Sequence, residues 1–385
     1  MFERRLLPVI TLLLVALLTL VTGLWATDRA QTITSGVGVE GADRSNQQFE
    51  WKLVTTWPKN LPGLGSAGEN FARYVTDMSG GRLKVTVYGA GEIVPAFEVF
   101  DAVSQGVAEV GHGASYYWKG KIPAAVFYTA VPFGMTAQEM NGWLHYGGGL
   151  ELWRELYAPF GVVPFAGGST GVQMAGWFNR ELKTAADLKG LKMRIPGLAG
   201  EVFNASGGTA VRIAGGEVYT SMQTGVIDAV EWVGPYNDRT LGLNQVADYY
   251  YYPGWHEPGA MLEFIVNERA MGQLPEDLKA IVTYATRAAN QDMLDEFTAR
   301  NNESLQSLLA DGTQLRKLPD DVLQVLYDNS KIALEALASS DPIAGKIAAS
   351  YASFAADVRA YHEISERAYL NARDKVLPPV LNTSP

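Results

Sequence analysis

The fold is decided by three short apolar stretches, EWKLVTT (residues 50–56), LKVTVY (83–88) and EVGHG (109–113). Two stretches of helical character separate them, at residues 65–78 and 95–104. In the first of these, Phe71, Val75 and Met78 repeat at helical spacing. The order strand, helix, strand, helix, strand predicts parallel strands joined by right-handed crossovers, which is the basis of an α/β sheet.

A second series of short elements follows and predicts a second lobe. Strands are predicted at residues 171–179, 191–196, 209–212 and 226–232, and short helices at 185–188, 200–206 and 216–224. Residues 261–267 then predict a strand that returns to the first sheet. Almost everything after Pro275 is helical, and Pro319 and Pro342 mark new helix starts, because proline suits the first helical turn.

The predicted architecture is therefore α/β, with two lobes and a helical C-terminal part. Lobe I is predicted to comprise residues 49–168 and 260–385, and lobe II residues 169–259. Ligands of such sheets bind at the carboxyl ends of the strands, in the crevice between lobes. We therefore expect the functional site to lie between the two lobes.

The first 26 residues predict a targeting segment rather than a part of the folded domain. Arg4 and Arg5 precede a nearly unbroken apolar run, which is typical of a signal peptide. The run is also nearly long enough for a retained membrane anchor, which needs roughly 20 residues. In both cases the remainder of the chain is exported to the periplasm. Residues 27–48 are polar and predict a flexible tether, in which the GxGxxG motif at 36–41 lacks the flanking strand and helix of a dinucleotide site.

The composition excludes several classes of function. Of the 385 residues, 47% are hydrophobic and 19% charged, which excludes a disordered chain. Acidic residues outnumber Lys and Arg by 41 to 31, and the net charge of −10 argues against binding of nucleic acid. The absence of cysteine excludes disulfides, zinc–thiolate sites and cysteine nucleophiles.

A secreted hydrolase is the alternative from a different class of function. Residues 167–171 (GGSTG) match GxSxG, which would make Ser169 a nucleophile. That motif needs a helix directly after the serine, and the residues that follow alternate like a strand. The sequence therefore favours a hinge or a loop at this position.

Arg194 is the candidate that would bind an anion. It is the last polar residue of the predicted strand 191–196, just before Pro196 and Gly197, so its side chain should project from the carboxyl end of that strand. A guanidinium offers a planar pair of donors that suits a carboxylate and that lysine cannot copy. An ordinary salt bridge at a sheet edge is the competing interpretation.

Three oxygen-bearing side chains are candidates for binding a cation. Glu231 ends an apolar strand, where a carboxylate is costly unless it is paired, hydrogen-bonded or bound to metal. Glu257 lies in a turn-rich loop and Gln173 inside a predicted strand. Together they offer hard oxygen ligands, which suit sodium, calcium or magnesium rather than zinc or copper.

The chain resembles the DctP-type solute-binding proteins of tripartite ATP-independent periplasmic (TRAP) transporters. The residues that carry the resemblance are LKGLKMRIP (188–196) and GEVYTSMQTGVIDAVEW (216–232), supported by WKLVTTWP (51–58) and AEVGHGA (108–114). The chain is most similar to the branch of receptors that bind 2-oxoacids, and to related lactate-binding proteins. The resemblance implies two lobes, a long helix that spans both, and closure on a ligand.

The resemblance also implies roles for individual residues. Arg194 falls where the family binds the substrate carboxylate, and Ser115 and Tyr116 fall at positions that line the cleft. The positions that correspond to oxygen ligands of a cation, sodium or alternatively calcium, are Gln173, Glu231, the backbone carbonyl of Trp232, and Glu257. Of these, Gln173 and Trp232 would also contact the substrate.

The predicted function is that of a non-catalytic periplasmic receptor, which binds a small 2-oxo monocarboxylate with a cation and delivers it to a membrane permease. A receptor for lactate or another organic acid is the alternative within the same class. The resemblance further implies a homodimer formed through the C-terminal helices.

Overall fold

The computed structural model describes residues 18–20, 22 and 47–378. Residues 18–20 and 22 are helical, and Leu18 and Leu20 are exposed. The predicted leader and tether, with the GxGxxG motif, otherwise lie outside the described residues. Within the described part of the chain, no helix combines the length and apolar character that crossing a membrane requires.

Eleven strands and twelve α-helices, each numbered in chain order, make up the part from residue 48 onward. The strands are β1 (Phe49–Thr55), β2 (Leu83–Tyr88), β3 (Val110–Gly113), β4 (Val162–Ser169), β5 (Gly176–Phe178), β6 (Lys192–Arg194), β7 (Thr209–Val211), β8 (Ala229–Val230), β9 (Tyr249–Tyr252), β10 (Met261–Asn267) and β11 (Gln314–Lys317). The helices are α1 (Leu64–Met78), α2 (Val99–Ser104), α3 (Ala137–Tyr146), α4 (Gly149–Tyr157), α5 (Gly197–Ala205), α6 (Val218–Gln223), α7 (Pro235–Thr240), α8 (Glu268–Gln273), α9 (Glu276–Ala310), α10 (Asp320–Ala338), α11 (Pro342–Ile364) and α12 (Glu366–Val376).

The first sheet has the order β2-β1-β3-β10-β4. Strand β1 pairs in parallel with β2 and β3, as the alternation of strands and helices predicts. Strand β10 returns to this sheet and lies between β3 and β4, antiparallel to both. The prediction of a returning strand at residues 261–267 is therefore confirmed.

The second sheet has the order β11-β9-β5-β8-β6-β7. Strands β6, β7 and β8 are parallel, so their carboxyl ends lie at one edge. Strand β11 pairs in parallel with β9, although residues 314–317 fall in the range predicted for lobe I. Residues 314–317 are the strand within the almost entirely helical part predicted after Pro275, because pairing with β9 decides the conformation of these four residues.

The long helix α9 has 35 residues. It packs against β4 and α1 of the first lobe and against α7 of the second lobe. It is the predicted helix that spans both lobes. Helices α10, α11 and α12 follow it, and α11 packs on the segment Pro123–Tyr128 of the first lobe. The two-lobed α/β fold with additional C-terminal helices is thus as predicted.

Three strands, β4, β9 and β11, are missing from the sequence prediction, and β5, β6 and β8 are clearly shorter than predicted. Strand β4 contains Pro164 and two glycines, and β9 is a run of four tyrosines. Both conform to a strand because neighbouring strands pair with them, β10 along one side of β4, and β5 and β11 along the two sides of β9. Residues 171–175 and 226–228 are loops instead of strand, so the site residues near them lie on irregular backbone.

Candidate functional site

Arg194 and Glu231 meet at the carboxyl ends of two neighbouring parallel strands. Arg194 ends β6, and Glu231 follows β8 directly, in the register that pairs Arg194 with Val230. Nη1 of Arg194 donates to the Oε2 of Glu231 at 2.8 Å and to its backbone carbonyl at 2.7 Å. Both side chains are fully buried. The strand geometry expected for Arg194 therefore places it against a carboxylate of its own lobe.

The guanidinium of Arg194 has most of its donors engaged by the protein. Its Nε donates to the carbonyl of Ile213 at 3.3 Å, and its Nη2 donates to the Tyr117 hydroxyl at 3.3 Å. A guanidinium has five N–H groups, and four of them have acceptors here. One N–H, on Nη2, has no acceptor among the described residues. The Trp232 ring covers one face of the guanidinium, with 4.9 Å from Cζ to the ring centroid.

A second buried carboxylate lies beside this pair. Single ligand atoms of Glu231, His256 and Glu257 lie within 4.8 Å of one another, and all three residues are buried. The Oε1 of Glu231 has no hydrogen-bond partner, although Nε2 of His256 is 3.5 Å away. Three groups capable of holding a metal ion therefore converge at one point, and His256 is a member that the sequence analysis did not predict.

Gln173 completes the group of oxygen atoms. Its Nε2 donates to the Oε2 of Glu257 at 2.8 Å and to the Oγ1 of Thr170 at 3.0 Å, which fixes the orientation of the amide. Its Oε1 is buried and has no hydrogen-bond partner. Such an acceptor is costly to bury unless something satisfies it. The unsatisfied oxygens of Gln173 and Glu231 fit a hard cation.

Burial shapes the protonation of these groups. Removal from water raises the pKa of Glu231 to about 7 and that of Glu257 to about 8, and the charge of Glu231 adds to the rise at Glu257. Arg194 acts in the opposite direction on both. Burial lowers the pKa of His256 to about 4, so its ring is neutral at pH 7. A nearby cation would favour the charged form of both carboxylates.

A small cavity of only about 10 Å³ joins these residues. It is lined by Trp57, Leu64, Tyr116, Tyr117, Thr170, Gln173, Arg194, Trp232, Val233, Glu257, Ala260 and Leu262. The structure therefore brings together Gln173, Arg194, Trp232, Glu257 and Tyr116 as predicted neighbours. Trp57, at the carboxyl end of β1, could have been predicted from strand ends, whereas no signal marks Thr170.

Ser115 is placed differently from the other predicted residues. It does not line the cavity, and its Oγ donates to the Ala125 carbonyl at 2.7 Å and lies 2.7 Å from the Oγ1 of Thr129. Both contacts tie together two turns of the first lobe. Ser115 directly precedes Tyr116 of the cavity wall, and its hydroxyl is engaged within the first lobe.

Ser169 does not have the environment of a hydrolase nucleophile. It is the last residue of β4, and a loop rather than a helix follows it. Its Oγ accepts the N–H of Gly171 at 3.3 Å. The turn from strand to helix that the GxSxG motif requires is absent from residues 169–176, so the nucleophile hypothesis for Ser169 is wrong in its structural premise.

The sequence and the fold of this chain are similar to those of periplasmic receptors. Residues 53–341 match the model of the bacterial extracellular solute-binding proteins of family 7, DctP. The chain is 44% identical to a monocarboxylate 2-oxoacid-binding periplasmic protein of Nostoc sp., over 83% of this chain and 88% of that one.

Two solved structures are similar over most of the chain. A TRAP periplasmic solute-binding protein of Colwellia psychrerythraea, with bound calcium and pyruvate, is 43% identical with a TM-score of 0.83, and the match covers 85% of this chain and 100% of that one. A TRAP periplasmic solute-binding protein of Pseudoalteromonas atlantica, with bound sodium and pyruvate, is 42% identical with a TM-score of 0.82, and covers 84% and 99% of the two chains.

Proposed function

The chain belongs to the DctP family of extracellular solute-binding proteins, the receptors of TRAP transporters, and from this we propose that it binds a small 2-oxo monocarboxylate together with a cation. Pyruvate and 2-oxobutyrate are the simplest such acids. The receptor would deliver the acid to the membrane permease subunits of its transporter. The names of similar proteins and the chemistry of the buried cavity support this proposal.

The observation that carries the proposal is the pair of buried, unsatisfied oxygens beside a buried arginine. The Oε1 atoms of Gln173 and Glu231 lack hydrogen-bond partners. Arg194 keeps one N–H free, and the Trp57, Tyr116 and Tyr117 rings complete the wall. The two oxygen atoms would coordinate the cation, and the free N–H would donate to the ligand carboxylate.

We propose that each residue has a distinct part in binding. Gln173, Glu231, the Trp232 carbonyl and Glu257 would hold the cation. Arg194 would donate its free N–H to the ligand carboxylate, with Glu231 fixing the guanidinium plane. The aromatic rings would exclude water and surround the short alkyl end. The cation would supply a positive charge that bridges protein carboxylates to the carboxylate and keto oxygens of the acid, which form a chelating pair.

The charges of the site bear on the identity of the cation. Glu231, Glu257 and a ligand carboxylate carry three negative charges, and Arg194 reduces the sum to −2. Calcium would neutralise this sum, and sodium would leave one negative charge. We propose sodium as the physiological ion and calcium as the alternative, since similar receptors hold either one with pyruvate.

The test is a titration of pyruvate with and without the ion. Protein dialysed against a chelator in choline buffer is titrated by calorimetry, first alone and then with sodium or calcium. We expect affinity to fall by more than tenfold without either ion, because the anionic ligand then loses the positive charge that bridges it to Glu231 and Glu257. Affinity that is indifferent to both ions would refute the cation bridge. Lactate in place of pyruvate tests the alternative ligand, since stronger binding of lactate would favour a lactate receptor.

We also propose that the protein is a receptor without catalytic activity. The family consists of binding proteins, and Ser169 lacks the required turn. Turnover of a p-nitrophenyl ester that disappears in Ser169→Ala would contradict this.

Two further features of the whole protein are proposed. The mature protein works outside the cytoplasm, with its leader either cleaved or retained as an anchor, which N-terminal sequencing of protein from the periplasm would decide. A homodimer would form through the C-terminal helices, where α12 has no buried residue.

A further inference from the structure

A seam of polar contacts joins the two lobes outside the ligand cavity. Lys119, which follows β3 in the first lobe, donates to the Gly197 carbonyl of α5 at 3.2 Å and forms an ion pair with Glu201 of the same helix at 2.5 Å. Gly197 also packs on the Tyr116 ring, where an added Cβ would lie 3.0 Å from Cδ1. Helix α5 of the second lobe is thus held directly against the first lobe.

Arg212 makes a second set of contacts across the same seam. It follows β7 in the second lobe, and its Nη1 donates to the Tyr117 carbonyl of the first lobe at 2.9 Å. Its guanidinium lies over the Phe97 ring, with 4.3 Å from Cζ to the ring centroid. Tyr117 is therefore held at its carbonyl by Arg212 and at its hydroxyl by Arg194.

The seam lies outside the proposed ligand cavity. Lys119, Glu201 and Arg212 do not line the cavity, but line a neighbouring groove whose wall includes Tyr116. Tyr116 lines both the groove and the cavity, and Tyr117 lines the cavity. The rings of these two tyrosines therefore lie between the seam and the cavity. Contacts of this kind exist only while the lobes are closed, because each of them joins residues of different lobes.

We propose that Lys119, Glu201 and Arg212 form a latch that sets the affinity and the residence time of the ligand without contacting it. The proposal rests on the proposed receptor function, since a latch matters only if closure encloses a ligand. Contacts that exist only in the closed state stabilise that state. They therefore increase the apparent affinity of a ligand that binds only to the closed state. The latch would therefore act equally on every acid that the site accepts.

This mechanism has a quantitative signature. Exposed ion pairs contribute modestly, so each lost contact should raise the dissociation constant by roughly 2- to 5-fold. The change should appear as faster dissociation with little change in association, as is usual for variants of one binding site. The ratio of affinities for pyruvate and 2-oxobutyrate should stay constant, whereas a residue that contacts the ligand would change it.

The experiment compares matched methionine variants by stopped-flow fluorescence and calorimetry with pyruvate and 2-oxobutyrate at saturating sodium or calcium. Lys119→Met and Arg212→Met remove the latch contacts. Lys121→Met and Arg316→Met are their controls, because Lys121 pairs with Asp101 within the first lobe and Arg316 pairs with Glu181 within the second. We expect faster dissociation in the first two variants, roughly 4- to 25-fold in their combination, and wild-type rates in the controls.

The outcomes separate the latch from the proposed function. Latch variants that match their controls, or that change the ratio of the two acids, would overturn the latch while the receptor function stands. A wild-type protein that binds neither acid would overturn the proposed function instead. In that case small-angle scattering decides the latch, since the combined variant should then have a larger radius of gyration than the combined control, and equal radii would overturn it.

Discussion

At the scale of single residues, the main finding is that Arg194 and Glu231 form one unit. An unpaired arginine could donate two parallel N–H groups to a ligand carboxylate. In Arg194, both N–H groups of Nη1 donate to Glu231 instead. The carboxylate thereby fixes the plane of the guanidinium and aims its remaining N–H. Such buried pairs are strongly destabilised when one partner is removed, since the other charge is then left unpaired.

Arg194→Lys tests whether this unit holds the ligand. An ammonium can stay paired with Glu231, but it cannot also reach Tyr117, Ile213 and a carboxylate with the geometry of a guanidinium. We expect the dissociation constant for pyruvate to rise by about tenfold or more, measured by calorimetry. The exposed Arg180→Lys is the matched control and should bind as wild type does. Unchanged affinity of Arg194→Lys would remove Arg194 from the site.

The residues of the site were predictable to different degrees. Arg194 and Glu231 end apolar strands, and strand ends meet at one edge of a parallel sheet, so their proximity follows from the sequence pattern. Gln173 and Glu257 lie on loops; their oxygen chemistry made them candidates for a cation site, and the resemblance to a family supported both. His256 and Thr170 were missed because loop backbone decides where their side chains lie. Ser115 was predicted in the cleft, and its hydroxyl is instead used within the first lobe.

At the scale of elements, β10 carries a buried acid that belongs to no ion pair. Glu263 is fully buried, and Trp118 Nε1 and the Tyr157 hydroxyl donate to its two oxygens, the latter at 3.0 Å. Burial raises the pKa of Glu263 to about 8, although both donors lower it. The strand that returns between β3 and β4 thus holds a carboxyl group that favours its neutral form when folded.

The pH dependence of unfolding should reveal this group. Between about pH 4.5 and 8, the unfolded chain has released a proton that the folded chain keeps. The free energy of unfolding therefore falls as pH rises, on the order of 1 kcal/mol per pH unit from this residue. In Glu263→Gln the amide can accept from Trp118 and donate to Tyr157, so the variant should lose this slope in urea titrations at several pH values. The exposed Glu268→Gln should keep the slope of the wild type. An equal slope in Glu263→Gln would contradict the assignment.

Helices and strands were predicted most accurately where apolar residues repeat with a clear helical or strand period. The strands at residues 83–88 and 261–267 have the predicted bounds, and the helix at 65–78 begins one residue earlier. Strand β8 has only two residues, because the polypeptide leaves the sheet at Glu231 to form the site. The strands β4, β9 and β11 form because they pair with strands that are distant in sequence, and the local residue pattern carries no information on such pairing.

At the scale of the whole molecule, the two lobes and the helices that follow them have separate tasks. The lobes enclose the cavity, and the latch joins them at its rim. Helices α11 and α12 carry large apolar side chains outward, among them Tyr361, Ile364, Tyr369 and Val376, each at least 64% exposed. Exposed apolar side chains grouped on two neighbouring helices are typical of a surface that a partner covers. A second copy of the chain, contributing the same two helices, would cover it on both partners at once.

Sedimentation velocity of the mature protein tests this assembly. We expect the wild type to sediment as a dimer, and the double variant Ile364→Glu/Tyr369→Glu as a monomer, because two buried carboxylates would face an apolar partner surface. Val226→Glu is the control, since Val226 is 59% exposed in the loop before β8 of the second lobe, and should leave the dimer intact. Binding of pyruvate should survive in the monomer, because the cavity lies wholly within one chain. A wild type that is monomeric at micromolar concentration, or a double variant that remains dimeric, would show that these helices do not form the interface.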